Sequence, residues 1–113
     1  MMYKKERETL HVKTYHLHKH SNQMEYLTFP SFEQFSNLKH LFSTRNGGIS
    51  TGCFESLNFA FRDDDLNTNV HHHYQQLAEV LGTKEDHLVT SAQTHTANIR
   101  IITKDDSGKG LTR

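Results

Sequence analysis

The stretch Leu38-Lys39-His40-Leu41-Phe42-Ser43-Thr44-Arg45-Asn46-Gly47-Gly48 runs an apolar segment into a glycine-rich turn beside a fixed cation. Leu38 to Ser43 reads as a strand, and Asn46-Gly47-Gly48 is a strong turn signal. Successive glycines let backbone N–H groups converge on an anion, and a guanidinium grips phosphate through parallel hydrogen bonds. Spacing alone favours the plainer reading, a hairpin turn followed by a surface arginine at Arg45.

Working outward toward the N-terminus, Tyr26, Leu27 and Phe29 read as a short strand ended by Pro30. Ser31 to Phe35 reads as one helical turn that tucks Phe32 and Phe35 inward. Residues 1–24 are polar and His-rich, carrying His11, His16, His18 and His20, and read as an edge strand plus a loosely held terminus.

Toward the C-terminus, Ser56 to Phe61 alternates Leu57, Phe59 and Phe61, which predicts a strand with one buried face. Asp63, Asp64 and Asp65 then precede the clearest helix, Val70 to Leu81, with Asn67 or Asn69 as its cap. Val70, Tyr74, Leu77 and Leu81 share one face, while Gln75, Gln76 and Glu79 point elsewhere. Gly82 supplies the left-handed stop. Thr83 and Asp86 mark a further capped turn, followed by strands at Leu88–Ala92 and Asn98–Thr103 and a flexible polar turn from Asp105 to Gly110. This order of elements predicts a mixed α/β domain.

A chain of 113 residues is about one small domain, and 34% apolar residues allow only a modest core, helped by seven Phe and four Tyr. Lys+Arg and Asp+Glu balance at 13 each, so no charge field argues for nucleic acid or an anionic membrane. No apolar run approaches the ~18 residues of a membrane span. The opening MMYKKERETL lacks the apolar core of a signal peptide. Cys53 is the only cysteine, which excludes an internal disulfide and makes a reduced, cytoplasmic setting the default expectation.

Few residues stand out for chemistry on spacing alone. Gln93-Thr94-His95 lies between strand-like runs, and a neutral imidazole there is either a metal ligand or a polar loop residue, the second being commoner. His71, His72 and His73 point about 100° apart around the helix, so they cannot face one metal, and they read as a solvated surface. Cys53 has no adjacent base and reads as small and partly buried. The acidic run Asp63–Asp65 reads as helix-start electrostatics.

The run His40-Leu41-Phe42-Ser43-Thr44-Arg45-Asn46-Gly47-Gly48-Ile49-Ser50, followed by Phe54-Glu55-Ser56-Leu57-Asn58, resembles the signature of the YfiH/YlmD-like, laccase-domain family. Gln93-Thr94-His95 and the Gly108-Lys109-Gly110 turn continue it in the same order. The resemblance covers residues 25–113 and leaves the His-rich segment 1–24 aside. It implies a mixed α/β layered sandwich, here incomplete. It further implies a zinc-dependent purine nucleoside phosphorylase with adenosine deaminase and methylthioadenosine phosphorylase activities, copper having been proposed historically.

By the same resemblance, His95 is the first metal ligand, Arg45 the arginine of the Thr-Arg-x-Gly-Gly turn, and Asn58 the polar residue of Ser-Leu-Asn. The Cys and second His ligands of the family follow in later segments that this sequence does not contain, so the chain on its own is expected to be inactive. Partners implied are purine nucleosides and phosphate, with no nucleic acid and no membrane. The chain is expected to be a monomer that aggregates through open edges or is complemented by a C-terminal part. The competing expectation is a non-enzymatic His-rich module that binds metal or anions. His73 and Tyr74 stand where many members carry Asn and Arg.

Overall fold

A computed structural model describes residues 14–113, so His11 lies outside the described residues. Among them, strands β1 (His16–Lys19), β2 (Glu25–Thr28) and β3 (Phe42–Ser43) form one antiparallel sheet in that order. Leu17 stands opposite Leu27, and Leu27 opposite Phe42. The edge strand expected in the His-rich segment is β1. The fold is thus a mixture of helix and short antiparallel strands.

Helix α1 (Pro30–Glu33) follows β2 directly, with proline at the position where its missing N–H is no loss. Phe32 and Phe35 are not tucked inward as the sequence suggests; they are 47% and 52% exposed. A four-residue helix has no second turn with which to build a buried face. Phe32 instead sets its ring edge against His40 at 5.1 Å.

The dominant element is α2 (Asn67–Leu81). Neither Asn67 nor Asn69 caps it: the N-cap is Leu66, without a side-chain bond. Asp65 takes over, its Oδ1 accepting from the Leu66 N–H at 2.9 Å and the Asn69 amide at 3.3 Å. At the other end Gly82 adopts φ 75°, and the Gly82 and Thr83 N–H groups close onto the Glu79 and Ala78 carbonyls at 3.1 and 2.8 Å. That is the paired-bond helix stop expected from the sequence.

The register of α2 corrects the helical face read from the sequence. His73 and Gln76 are buried, 0% and 6% exposed, alongside Val70 and Ala78. Residues 70, 73 and 77 fall on one stripe by simple helical spacing, so a polar residue at 73 faces inward whatever its chemistry. Gln76 is accommodated because its Nε2 donates to the carbonyls of Asn22 and Gly47, each at 2.9 Å. The Asn22 amide in turn donates to the Gln76 carbonyl at 3.2 Å. The β1–β2 hairpin tip and the Gly47 turn are therefore clamped to one helix by polar groups.

The strands expected at Ser56–Phe61, Leu88–Ala92 and Asn98–Thr103 do not form, and only Phe42 and Ser43 of Leu38–Ser43 pair in the sheet. The Ser56 and Leu57 N–H groups both donate to the Arg45 carbonyl at 2.9 Å, a loop contact rather than a ladder. Ile99 and Ile101 have the right alternation but no facing strand, and stand 93% and 85% exposed. The polar C-terminal turn contains the short helical turn Lys104–Asp106 and is fastened, with Gly108 N–H donating to the Leu88 carbonyl at 2.8 Å and Thr90 N–H to that of Lys109 at 3.1 Å. Among the described residues the buried apolar side chains are Met24, Leu57, Val70 and Ala78, so the core lies where α2 meets the hairpin tip and the Leu57 loop.

Gly48 sits at the tightest point of that meeting. A Cβ there would collide with the Ser56 carbonyl oxygen and lie 2.6 Å from His73 Nε2. At Gly82 a Cβ would meet only the mobile Lys39 Nζ at 3.0 Å, leaving the left-handed φ as the main cost. Gly48→Ala should therefore destabilise by more than about 2 kcal/mol and Gly82→Ala by about 1 kcal/mol. Equal shifts of the two variants in thermal unfolding would refute this ordering.

Candidate functional site

Arg45 and Asn58 belong to one loop cluster packed on the N-terminal half of α2. The Arg45 Nε and Nη2 donate to the Glu55 carbonyl at 3.0 and 2.9 Å, while its exposed Nη1 has no partner among the described residues. The Gly47 and Gly48 N–H groups do converge on one acceptor, as consecutive glycines allow. The acceptor is the Ser56 Oγ, at 3.1 and 3.2 Å, which itself donates to the Arg45 carbonyl at 3.0 Å.

Asn58 is held at both ends of its amide. Its Nδ2 donates to the Ala60 carbonyl at 2.9 Å and to Asp65 Oδ2 at 2.8 Å, and its Oδ1 accepts from the Ala60 N–H at 3.0 Å. Asp65 Oδ2 also accepts from the buried Ser50 hydroxyl at 2.7 Å. The Asn58 amide, then the Ser50 hydroxyl, hold the Asp65 carboxyl below its ordinary range, outweighing partial burial.

His73 stands beneath this cluster. Its Nε2 lies 2.9 Å from the Ile49 N–H, and a backbone N–H only donates, so Nε2 carries no proton. The ring proton is therefore on Nδ1, donated to the Asn58 carbonyl at 2.7 Å. The Asn58 N–H lies 3.2 Å from the same Nδ1, but accepting from it would leave the ring with no proton at all. Burial pushes the His73 imidazole below its ordinary pKa, with the bond to Asn58 opposing and neighbouring His72 adding to the depression.

His95 lies elsewhere, in a concavity of about 860 Å³ lined by Gln93, His95, Arg100, Asp106, Lys109 and their neighbours, which neither Arg45 nor Asn58 lines. Its backbone adopts φ 57°, a left-handed conformation sparsely populated outside glycine. Asp106 is buried and accepts from Lys109 Nζ at 2.7 Å, the Thr103 N–H at 3.0 Å and Arg100 Nη2 at 3.4 Å. Lys109, then the Thr103 N–H, hold its carboxyl down at about 2.

Among the described residues no three His, Cys, Asp or Glu side chains are grouped to hold a metal ion. The one acid lining the concavity with His95 is Asp106, already engaged by Lys109 and Arg100, and Cys53 is exposed in a surface turn rather than partly buried. The donor set present does not fit zinc or copper.

Sequence reasoning passed over His73, Ser56, Asp65 and Asp106 as working residues. Helical spacing from Val70 would have flagged His73, and the Thr103–Asp106 interval of a capping box would have flagged Asp106. Nothing local marks Ser56 as the acceptor of the glycine turn.

The low Asp106 carboxyl stabilises the C-terminal coil fully above pH about 4, the ordinary carboxyl range, and that stabilisation is lost as pH falls toward about 2. Lys109→Met should weaken the coil at neutral pH and flatten the acid-dependent loss. Hydrogen exchange at the Gly108 amide measures both, and identical acid profiles for the two proteins would contradict the pairing.

Residues 39–112 match the family described as multi-copper polyphenol oxidoreductase laccase. Purine nucleoside phosphorylase YlmD of Bacillus subtilis is 35% identical over 69 residues, covering 61% of this chain and 25% of the relative. YlmD of Geobacillus stearothermophilus is 38% identical over 68 residues, with 60% and 25% covered. Purine nucleoside phosphorylase SSP1584 of Staphylococcus saprophyticus is 30% identical over 79 residues, with 70% and 30% covered. The matches therefore span between a quarter and a third of these relatives' length. No solved structure matches. No helix among the described residues is long and apolar enough to cross a membrane. Matched from before the Arg45 turn to beyond Asp106, the chain belongs to the multi-copper polyphenol oxidoreductase laccase family.

Proposed function

We propose that residues 25–113 form the N-terminal part of a purine nucleoside phosphorylase domain, a mixed α/β layered sandwich that further polypeptide completes. The observation that carries this reading is the family match over residues 39–112, which contains Arg45, Asn58 and His95 together, alongside relatives named for that activity. The substrates are a purine nucleoside and inorganic phosphate, in a cytoplasmic setting. Adenosine deamination and methylthioadenosine phosphorolysis belong to the same proposal.

In phosphorolysis a phosphate oxygen attacks the ribose anomeric carbon. The bond from that carbon to the base nitrogen breaks, and the base departs with the electron pair and takes up a proton. Charge gathers on phosphate and base, so fixed donors are what the site must supply. Arg45 Nη1 is the donor assigned to phosphate, Asn58 orients substrate from the adjoining loop, and His95 is the residue assigned to a metal. Among the described residues no second and third donor stand with His95 to hold an ion.

The chain alone should release no free base from inosine and phosphate. A chimera in which residues 39–112 replace the matching stretch of a relative such as the Bacillus YlmD should regain phosphate-dependent release. Arg45→Ala in that chimera should lower kcat/KM for phosphate by roughly 10²-fold. Unchanged phosphate dependence would remove Arg45 from the site, and turnover by the isolated chain would overturn the partial-domain reading.

A further inference from the structure

We propose that His73 is the positioning residue that sets the Arg45 turn and the Asn58 loop at their mutual distance, and that it does so only as the neutral Nδ1–H tautomer. The inference rests on the roles given above to Arg45 and Asn58, but its geometry stands without them.

Two loops meet over α2, and one imidazole joins them. Ile49, which follows Gly47-Gly48 beside Arg45, donates its N–H to Nε2 at 2.9 Å. Asn58 receives Nδ1–H on its carbonyl at 2.7 Å. The ring is fully buried, with the Phe59 ring 6.3 Å away, so water cannot replace either partner. A Cβ on Gly48 would reach to 2.6 Å from Nε2, which shows how closely the turn is seated on the ring.

The two nitrogens are used with opposite polarity. Adding a second proton puts an N–H on Nε2 facing the Ile49 N–H, so the bridge breaks at the turn and survives at Asn58. Protonation thus frees the Ile49 end of the glycine turn, while the Gly47 and Gly48 N–H groups stay on the Ser56 Oγ. The titratable groups that face this ring are His72 on the same helix, its ring 6.1 Å away, and Asp65 from the segment leading into α2. The loops on the other side present backbone groups of Gly48, Ile49 and Asn58. Asp65, tied to Asn58 and Ser50, stays ionised through the pH range in which imidazoles titrate.

The folded-state imidazole is depressed, so the seated turn is fully stable above the ordinary histidine value, about 6.5, and that stability is lost as pH falls through the lower folded value. Each further pH unit lowers the neutral fraction about tenfold.

The test follows the ring nitrogens and the loop amides of the 113-residue chain by nuclear magnetic resonance from pH 8 to about 4.5, a span that brackets the ordinary imidazole value. The expected result is a protonated Nδ1 and a bare Nε2 at high pH. The amides of Gly47, Gly48 and Ile49 should then shift together with the ring as it charges. His73→Gln offers one donor and one acceptor that do not titrate, so its loop amides should hold a single position across the range, while His72→Gln should keep the transition and move it toward higher pH. An Nε2–H tautomer, a ring that charges without moving Ile49, or the same transition in His73→Gln would overturn the proposal. If the Gln variant fails to fold, the tautomer and co-titration in the wild-type chain decide alone. Phosphate dependence of the chimera reads the other proposal separately: its persistence in Arg45→Ala removes the phosphate role and leaves His73 in place.

Discussion

A buried imidazole sits where two loops of this chain meet its long helix, bonded to both. Few apolar side chains are fully buried, and they cluster where α2 meets the loops around His73. With so small a core, packing alone does not fix how the loops lie on the helix. Directional groups do: His73 accepts from one loop and donates to the other, and Gln76, one turn further on, donates to the Asn22 carbonyl at the hairpin tip and to the Gly47 carbonyl. An unsatisfied polar group in such a place costs more than a made bond returns, and among the described residues Gln76 Oε1 is the one buried side-chain polar atom left without a partner.

The same logic arranges the segment before the helix. Asp65 gathers the Ser50 hydroxyl, the Asn58 and Asn69 amides and the Leu66 N–H on one carboxylate, which ends a loop, seats another and starts α2 at once. The helix start therefore needs no cap from its own first residues. Arg45 and Asn58, two residues of the proposed chemistry, are in this way also residues that build the fold.

Where sequence alone was informative, a single local signal sufficed. Gly82 ends α2 because the left-handed turn is a property of that residue, and Pro30 ends β2 and opens α1 for an equally local reason. The strands expected at Ser56–Phe61 and Asn98–Thr103 fail because alternation supplies a face but not a partner, and pairing is decided by distant chain. Polarity is no guide to exposure at His73 and Gln76, because the helix stripe decides which way they point. Of the candidate site, the joint placement of Arg45 and Asn58 in one cluster follows the motif order, while the separation of His95 into its own concavity was not legible from order alone.

The Ser56 hydroxyl, bonded by the Gly47 and Gly48 amides, makes the glycine turn a site that already contains its own ligand. Both glycine donors are thus spent inside the fold, and the hydroxyl that takes them passes its own proton to the Arg45 carbonyl, so turn and loop are locked as one piece.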